Sequence, residues 1–157
     1  MTRPRVLIVG GGFAGLACAL ALDAQRFDVT VIDRRRHFEF IPNIHELISA
    51  VKTPAALRLP LGPLLKDRGH RFRCSEVRDI DAETRAVTLA GGGSLAGDYL
   101  VLATGSVDAD FGVPGVGKHA LPLKSVADGA AIARRLQALE RGREAAHIVV
   151  VGAGLAG

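Results

Sequence analysis

Cysteine is scarce in this sequence, and its two cysteines do not form a recognisable pair. Cys18 and Cys74 lie far apart among 157 residues and in unrelated local patterns. This excludes a CxxC redox pair, a cysteine-rich metal site and a disulfide framework. Cys18 falls in an apolar helical pattern, where a free cysteine acts as a small hydrophobic residue. We therefore expect no metal site, and a reducing cytoplasm suits the chain.

Aromatic residues and long apolar runs are also scarce. With six Phe, one Tyr and no Trp, the chain offers no stacking platform for bases, and we expect no nucleic-acid partner. No apolar run approaches the ~20 residues that span a bilayer. The stretch from Arg3 to Leu22 superficially resembles a secretory signal, but four glycines between residues 10 and 15 interrupt it. We therefore expect neither a signal peptide nor a transmembrane helix, and a cytoplasmic location.

The composition itself is that of a globular domain. Hydrophobic residues make up 48% and charged residues 23% of the sequence, and the net charge is +4. Most of the basic excess is arginine, which could favour a phosphate-bearing cofactor or an anionic lipid surface, although solubility explains it equally well.

The first thirty residues predict a βαβ unit. Residues 6–9 form an apolar run typical of a buried parallel strand, and residues 13 to about 25 are rich in alanine and leucine, as in a helix. Residues 29–32 are a second, β-branched strand, which Asp33 closes. This order predicts an α/β fold, namely a Rossmann-like dinucleotide-binding domain with a parallel sheet.

The rest of the chain predicts an antiparallel meander inserted into that parallel unit. Short helices are expected around residues 44–51 and 61–67. Three strand-like pieces follow, at residues 70–74 running on through 77–81, then 86–89 and 99–103, and the glycines at 91–93 read as a hairpin loop between the last two. A loop to residue 123, a helix capped by Ser125 or Asp128 and running to about Glu140, and a strand at 147–151 complete the prediction.

The spacing Gly10-x-Gly12-x-x-Gly15 lies between the first strand and the first helix, where it predicts a phosphate cradle. Gly10 permits the tight turn, Gly12 lets the backbone approach a pyrophosphate, and Gly15 lets helix and strand pack closely. Asp33, about twenty residues on, can accept hydrogen bonds from ribose hydroxyls. Arg34 beside it could contact a ligand phosphate or belong to a solvated basic loop.

The same spacing returns at Gly152, Gly154 and Gly157, after another β-branched run. Two copies of the motif, each following a strand, predict two dinucleotide-binding sites in the complete architecture. The chain ends within the second copy, before its helix and second strand. We therefore expect an N-terminal portion that does not turn over NAD(P)H on its own.

Four segments together resemble a known family: residues 6–15, 29–36 (VTVIDRRR), 99–106 (YLVLATGS) and 121–125 (LPLKS). In this order they resemble the FAD-dependent pyridine nucleotide oxidoreductases, and most closely the type II NADH:quinone dehydrogenases. The resemblance implies hydride transfer from NAD(P)H to FAD and on to a quinone or similar acceptor. It implies an FAD-binding domain over residues 1–124, a connecting helix over 125–146 and the start of an NAD(P)H-binding domain at 147–157.

The resemblance also assigns binding roles. The FAD pyrophosphate would meet Gly10, Gly12, Phe13, Ala14 and Gly15. The adenosine would meet Asp33, Arg34 and the backbone of Val77, and the flavin side would meet Pro42, Ala103, Thr104 and Gly105. NAD(P)H would meet Gly152, Gly154 and Gly157. The resemblance leaves room for a homodimer, and any peripheral membrane contact would come from family segments beyond residue 157.

Several alternatives stay open. The chain could be a non-catalytic FAD-binding fragment or interaction module, or it could be related to the sulfide:quinone reductases, whose several cysteines it lacks. Residues 43–51 contain no cysteine where the family's disulfide reductases carry a CxxxxC pair. His45 and Glu46 could handle protons near the flavin or simply face solvent, and Lys124 is equally ambiguous. We name no catalytic residue.

Overall fold

The computed structural model describes residues 2–142 and 145–152. Their contacts divide the chain into two compact units, one formed by residues up to 38 together with 59–106, the other by residues 39–58 together with those from 107 on. The division at residues 124 and 146 that the resemblance implied stays a prediction.

The described elements are short, and strands outnumber helices. The strands are β1 (Arg5–Val9), β2 (Asp28–Asp33), β3 (His37–Glu39), β4 (Arg58–Pro60), β5 (Arg71–Cys74), β6 (Val77–Asp81), β7 (Ala86–Leu89), β8 (Ser94–Ala96) and β9 (Tyr99–Leu102). The α-helices are α1 (Phe13–Ala21), α2 (Leu61–Lys66), α3 (Val116–His119) and α4 (Val126–Glu140), and two 3₁₀ helices span Ile41–Leu47 and Pro54–Leu57.

A parallel sheet is the centre of the first unit. Its strand order is β5-β2-β1-β9, and every neighbouring pair is parallel. Val6 of β1 stands opposite Val29 of β2 on one side and Tyr99 of β9 on the other. The β-branched runs of β1 and β2 are buried on both faces, as central parallel strands require. The predicted parallel α/β fold is confirmed.

Two helices cover one face of this sheet. Leu16 and Ala19 of α1, and Leu61 and Leu65 of α2, belong to the same buried cluster as alternate residues of β1 and β2. Helix α1 ends at Ala21, four residues earlier than predicted. The reason is local, because the carboxylate of Asp23 accepts a hydrogen bond from the backbone N–H of Gln25 (2.8 Å) and turns the chain out of the helix.

The antiparallel meander exists, but its strands differ from the prediction. It consists of β6, β7 and β8, and the glycine cluster separates β7 from the three-residue β8, which the sequence pattern missed. Strand β9 instead lies parallel to β1. The piece predicted to run from residue 70 through 81 is broken after Cys74, because β5 belongs to the parallel sheet and β6 to the meander. The apolar layer between the parallel sheet and the meander includes Leu7, Val9, Ile32, Val87 and Leu89.

The second unit is organised around α4 and a buried carboxylate. Helix α4 begins as predicted, since the hydroxyl of Ser125 accepts a hydrogen bond from the Asp128 N–H (3.2 Å). The Glu39 side chain, 8% exposed, lies 3.0 Å from the Arg58 guanidinium through Oε1 and accepts the N–H of Val126 (3.1 Å) through Oε2. The apolar contacts beside it come from Ile44, Leu47, Leu57 and Val126.

Two further predictions need correction in this unit. The helix expected at residues 44–51 is a 3₁₀ helix over Ile41–Leu47, with Pro42 in its first turn, where a missing N–H is tolerated. The strand expected at residues 147–151 is not formed: Ile148, Val149, Val150 and Val151 are 64–84% exposed. A β-branched run becomes a strand only by pairing, and the described residues provide this segment with no partner.

Within the described ranges, no helix has both the length and the apolar character needed to cross a membrane.

The apolar contact of α2 with the parallel sheet yields a stability prediction. Leu65 is fully buried, whereas Leu59, six residues earlier in the same unit, is 52% exposed. Leu65→Ala should lower the free energy of unfolding by about 2–5 kcal/mol, because it leaves a cavity. Leu59→Ala should lower it by less than about 1 kcal/mol. Urea denaturation of both variants measures this, and equal losses would contradict the core assignment.

The buried carboxylate of Glu39 yields a second stability prediction. Glu39→Ala removes the acceptor of both the Arg58 guanidinium and the Val126 N–H, and it should lower the free energy of unfolding by about 1–3 kcal/mol. Glu39→Gln keeps an oxygen acceptor and should lose less. Asp108→Ala, which removes an exposed carboxylate of the same unit, is the control in thermal unfolding. A Glu39→Ala variant as stable as the control would show that these bonds do not stabilise the unit.

Candidate functional site

The first glycine of the motif makes the turn that follows β1. Gly10 has φ +106°, a conformation that side-chain-bearing residues rarely adopt. Its N–H donates to the carbonyl of Ile32 (2.8 Å), so the turn is tied to the end of β2. A Cβ at Gly10 would lie 2.1 Å from the carbonyl oxygen of Ala103. The chain after β9 therefore requires glycine here.

The third glycine is required by the helix. A Cβ at Gly15 would lie 1.8 Å from the carbonyl oxygen of Gly10 and 3.3 Å from the Cβ of Ala103. Helix α1 consequently starts directly against the turn, with its N-terminus at the carboxyl end of β1.

Among the residues that the structure describes, none packs closely enough against the second glycine to exclude a side chain. Gly12 has φ −77° and ψ −164°, an extended conformation open to any residue, and a Cβ there would meet no atom within 4 Å. It occupies the N-cap of α1, where glycine has no side chain to accept hydrogen bonds from the first helical N–H groups. The positive end of the helix dipole at this N-terminus is thus accessible to an anionic group from outside the chain.

The carboxylate of Asp33 is held by two backbone groups. Its Oδ2 accepts the N–H of Gly11 (2.7 Å), and its Oδ1 accepts the N–H of Arg35 (2.7 Å). Each carboxylate oxygen retains capacity for a further hydrogen bond. The side chain is therefore oriented before any ligand arrives, beside the glycine turn.

A cleft of about 510 Å³ opens at this place. The carboxyl ends of β1 and β2 line it, residues 75–80 line it as well, and Thr104 completes it. The N–H of Ser75 donates to the carbonyl of Asp33 (2.9 Å), so residues 75–80 begin immediately beside the acid. This is the edge at which open parallel sheets bind their ligands.

The first unit brings most of the predicted binding residues together. The cleft itself is lined by Gly10, Asp33, Arg34, Val77 and Thr104. Gly12, Phe13, Ala14 and Gly15 form the cap and first turn of α1. Ala103 donates its N–H to Val9 (2.8 Å) and so joins the same turn, and Gly105, two residues on, has φ +76°. Their roles in binding stay predictions.

The remaining predicted residues are not part of this group. Pro42 lies at the start of the 3₁₀ helix of the second unit. Gly152 also belongs to that unit, is exposed and has φ +124°. Gly154 and Gly157 lie outside the described residues.

The prediction missed the cleft residues around Val77, among them Ser75, Glu76, Arg78 and Asp79. One signal was present in the sequence. Residues that follow a strand parallel to β2 must lie at the same carboxyl edge as Asp33. The sequence pattern predicts β5 and β6 as one continuous piece, so it does not reveal that edge.

The pair His45–Glu46 was an open candidate for proton handling. A hydrogen bond from the Asn43 side chain, together with Lys52 (3.0 Å from Oε2), holds the pKa of the Glu46 carboxyl below its ordinary value. A carboxylate stabilised in its charged form is a poor proton donor near neutral pH. Lys124 is exposed, and its backbone N–H donates to Asp128.

No three His, Cys, Asp or Glu side chains converge as a metal site would require, among the residues that the structure describes.

Residues 4–157 match the sequence model of one family, described as pyridine nucleotide-disulphide oxidoreductase. The chain belongs to this family. Its curated relatives include demethylphylloquinone reductase NdbB of Synechocystis sp., 32% identical over 99% of this chain, and an NADH dehydrogenase-like protein of Mycobacterium tuberculosis, 34% identical over 98%. The chain spans 41% and 40% of the length of these two relatives.

Solved structures with similar folds support the membership of this family. The sulfide:quinone oxidoreductase from Aquifex aeolicus superposes with a TM-score of 0.81 at 27% identity, over 89% of this chain and 33% of that protein. NDH2 from Plasmodium falciparum in complex with NADH superposes with a TM-score of 0.80 at 26% identity, over 89% and 30%. The expected membership of the pyridine nucleotide oxidoreductases is thereby confirmed.

The glycine geometry predicts opposite behaviour at two positions of one motif. Gly15→Ala should lower the free energy of unfolding by about 1–3 kcal/mol or more, since its Cβ would collide with backbone. Gly12→Ala should change it by less than about 1 kcal/mol, the size of an N-cap preference. Chemical denaturation without ligand measures both. If Gly12→Ala were as damaging as Gly15→Ala, the chain itself would require glycine at both places.

Proposed function

We propose that this chain is the FAD-binding part of a flavoprotein that takes hydride from NAD(P)H and passes electrons to a quinone. The single observation that carries the FAD site is Gly12. This glycine is unexplained by the chain's own packing, yet it stands at the uncapped N-terminus of α1 beside the cleft. A pyrophosphate that approaches this backbone explains why the position carries no side chain, and the positive end of the helix dipole favours such an anion.

The chain's other residues fit the adenosine side of such a cofactor. The N–H groups at the start of α1 would hold the pyrophosphate, and Asp33 would accept the ribose hydroxyls through its remaining lone pairs. The cleft continues past Asp33 to residues 75–80, where there is room for a base. The turn of Ala103, Thr104 and Gly105 would carry the backbone alongside the flavin end.

The redox chemistry belongs to the cofactor. When bound, FAD supplies acceptance of hydride and its onward delivery as electrons, while the protein positions it and tunes its electronics. The quinone rests on the names of relatives, which include a demethylphylloquinone reductase and alternative NAD(P)H-ubiquinone oxidoreductases. A protein-derived acid or base is not needed for this transfer, so no catalytic side chain is proposed.

A sulfide:quinone reaction is the second candidate, favoured by the superposition on the Aquifex aeolicus enzyme. The two thiols of this chain do not support it. Cys18 packs against the core cluster, and the Sγ of the exposed Cys74 donates to the Arg34 carbonyl (3.7 Å). Neither is paired with another thiol.

The FAD site is tested by Gly12→Val in the 157-residue chain. A branched side chain at the N-cap should block the pyrophosphate and weaken FAD binding at least about tenfold, the loss expected for one or two strong phosphate contacts. Gly91→Val is the matched control. It also adds a branched side chain where a Cβ meets nothing within 4 Å, but at the β7–β8 turn outside the cleft lining.

Equilibrium dialysis and flavin fluorescence give the affinities, and far-UV circular dichroism checks folding. Unchanged FAD affinity in Gly12→Val would show that the glycine turn before α1 is not part of the FAD-binding site. A wild-type chain that binds NAD⁺ but not FAD would replace the proposal with a nicotinamide-binding site.

A further inference from the structure

Strand β6 contains a β-bulge at the edge of the cleft. Val77 pairs with Leu89 and Asp79 with Thr88, so β6 advances two residues while β7 advances one. Arg78 is the extra residue. A bulge of this kind interrupts the alternation of a strand and redirects side chains, and bulges recur beside binding sites.

The packing shows the effect of the bulge. Val77 and Ile80 are three residues apart, so an unbroken strand would point them to opposite faces. Both nevertheless pack against the same apolar layer between the sheets. The two residues between them, Arg78 and Asp79, are exposed and line the cleft together.

The guanidinium of Arg78 is uncommitted. Among the described residues it has no hydrogen-bond or ion-pair partner, unlike the neighbouring Arg71, which binds Asp28 at 2.6 Å. An irregular strand that turns an unpaired cation into a cleft leaves that cation available to a ligand.

We propose that Arg78 binds the nucleotide by covering the face of its base with the guanidinium plane. This inference rests on the proposed function, because it takes the ligand of the cleft to be FAD. The order of groups in the cleft decides which part of the ligand Arg78 meets. The pyrophosphate belongs at the N-terminus of α1 and the ribose at Asp33. The backbone N–H of Ser75 donates a hydrogen bond to the carbonyl of Asp33. Residues 75–80 therefore lie on the far side of the ribose, where the adenine must extend.

The chemistry of this end of the cleft suits a base. Val77 and Ile80 contribute apolar lining, which a flat aromatic ring can contact. Arginine stacks on aromatic faces through its planar guanidinium, whereas the compact ammonium group of lysine attracts a ring but has no plane to stack on it. Lysine can bind a phosphate as a point charge, so a contact that lysine restores in full is not a stacking contact.

The experiment compares FAD affinity in the wild-type chain, Arg78→Ala, Arg78→Lys and Arg73→Ala. Arg73 is the matched control, because it is an exposed arginine of β5 with no partner among the described residues, and it lies outside the cleft lining. Arg78→Ala should weaken FAD binding roughly three- to tenfold, the range of a cation–π contact at a partly exposed site. Arg78→Lys should recover only part of this loss, because an ammonium attracts the ring but has no plane to stack on it. Arg73→Ala should stay within about twofold at physiological salt, where exposed charges are screened.

A competition experiment locates the contact on the ligand. ADP carries the same adenine as FAD, so its affinity, measured by displacement of FAD, should fall by the same factor in Arg78→Ala. If ADP binding were unchanged while FAD binding fell, Arg78 would contact the flavin end and the inference would be overturned. Full FAD affinity in Arg78→Lys would show that only the positive charge matters. Equal losses in Arg73→Ala and Arg78→Ala would show a general electrostatic effect of exposed arginines. Either result overturns the inference.

These outcomes are separate from a failure of the proposed function. If the wild-type chain binds no FAD, the site assignment and the inference both fall. If it binds FAD and Gly12→Val does not, while Arg78→Ala binds as the wild type does, the proposed function stands and only the role of Arg78 is rejected.

Discussion

The structure depends on a close approach of three backbone segments, where β1 turns into α1 beside the end of β9. At Gly10 and Gly15 there is no space for even one methyl group, because carbonyl oxygens of Ala103 and Gly10 occupy it. This contact brings the N-terminus of α1 against the carboxyl edge of the parallel sheet. The orientation of Asp33, bonded to Gly11 within the same turn, follows from it. The glycine motif is thus first a packing requirement, and only its middle member, Gly12, is free of that requirement.

The sequence predicts well those features that depend on neighbouring residues. The βαβ unit, the glycine turn and the Ser125 cap are each formed by residues that lie close together in the sequence. The sequence predicts each of them, with small errors in where the elements end. The apolar runs of β1 and β2 carry no alternation because both faces are buried, and this is why they read as parallel strands. The sequence spacing and the resemblance likewise predict that Gly10, Asp33 and Thr104 lie close together, and all three line the cleft.

Features that depend on distant pairing were not predictable in the same way. The sequence YLVL could equally complete a meander or join β1, and its place is decided by hydrogen bonds to a strand more than ninety residues earlier. The buried carboxylate of Glu39 receives its partner Val126 from far along the chain. Residues 75–80 became recognisable as cleft residues only when β5 and β6 were assigned to different sheets, and the bulge at Arg78 has no signature of its own in the sequence.

The short passage between those two sheets has a mechanical consequence. Strand β5 ends at Cys74 and β6 begins at Val77, so one side of the cleft is joined to the other by two residues, one of which is bonded to Asp33. The two sheets also share one apolar layer, so a hinge motion that moved the meander away from the parallel sheet would expose buried side chains to water. We therefore expect a ligand to enter along the groove while this apolar layer stays intact.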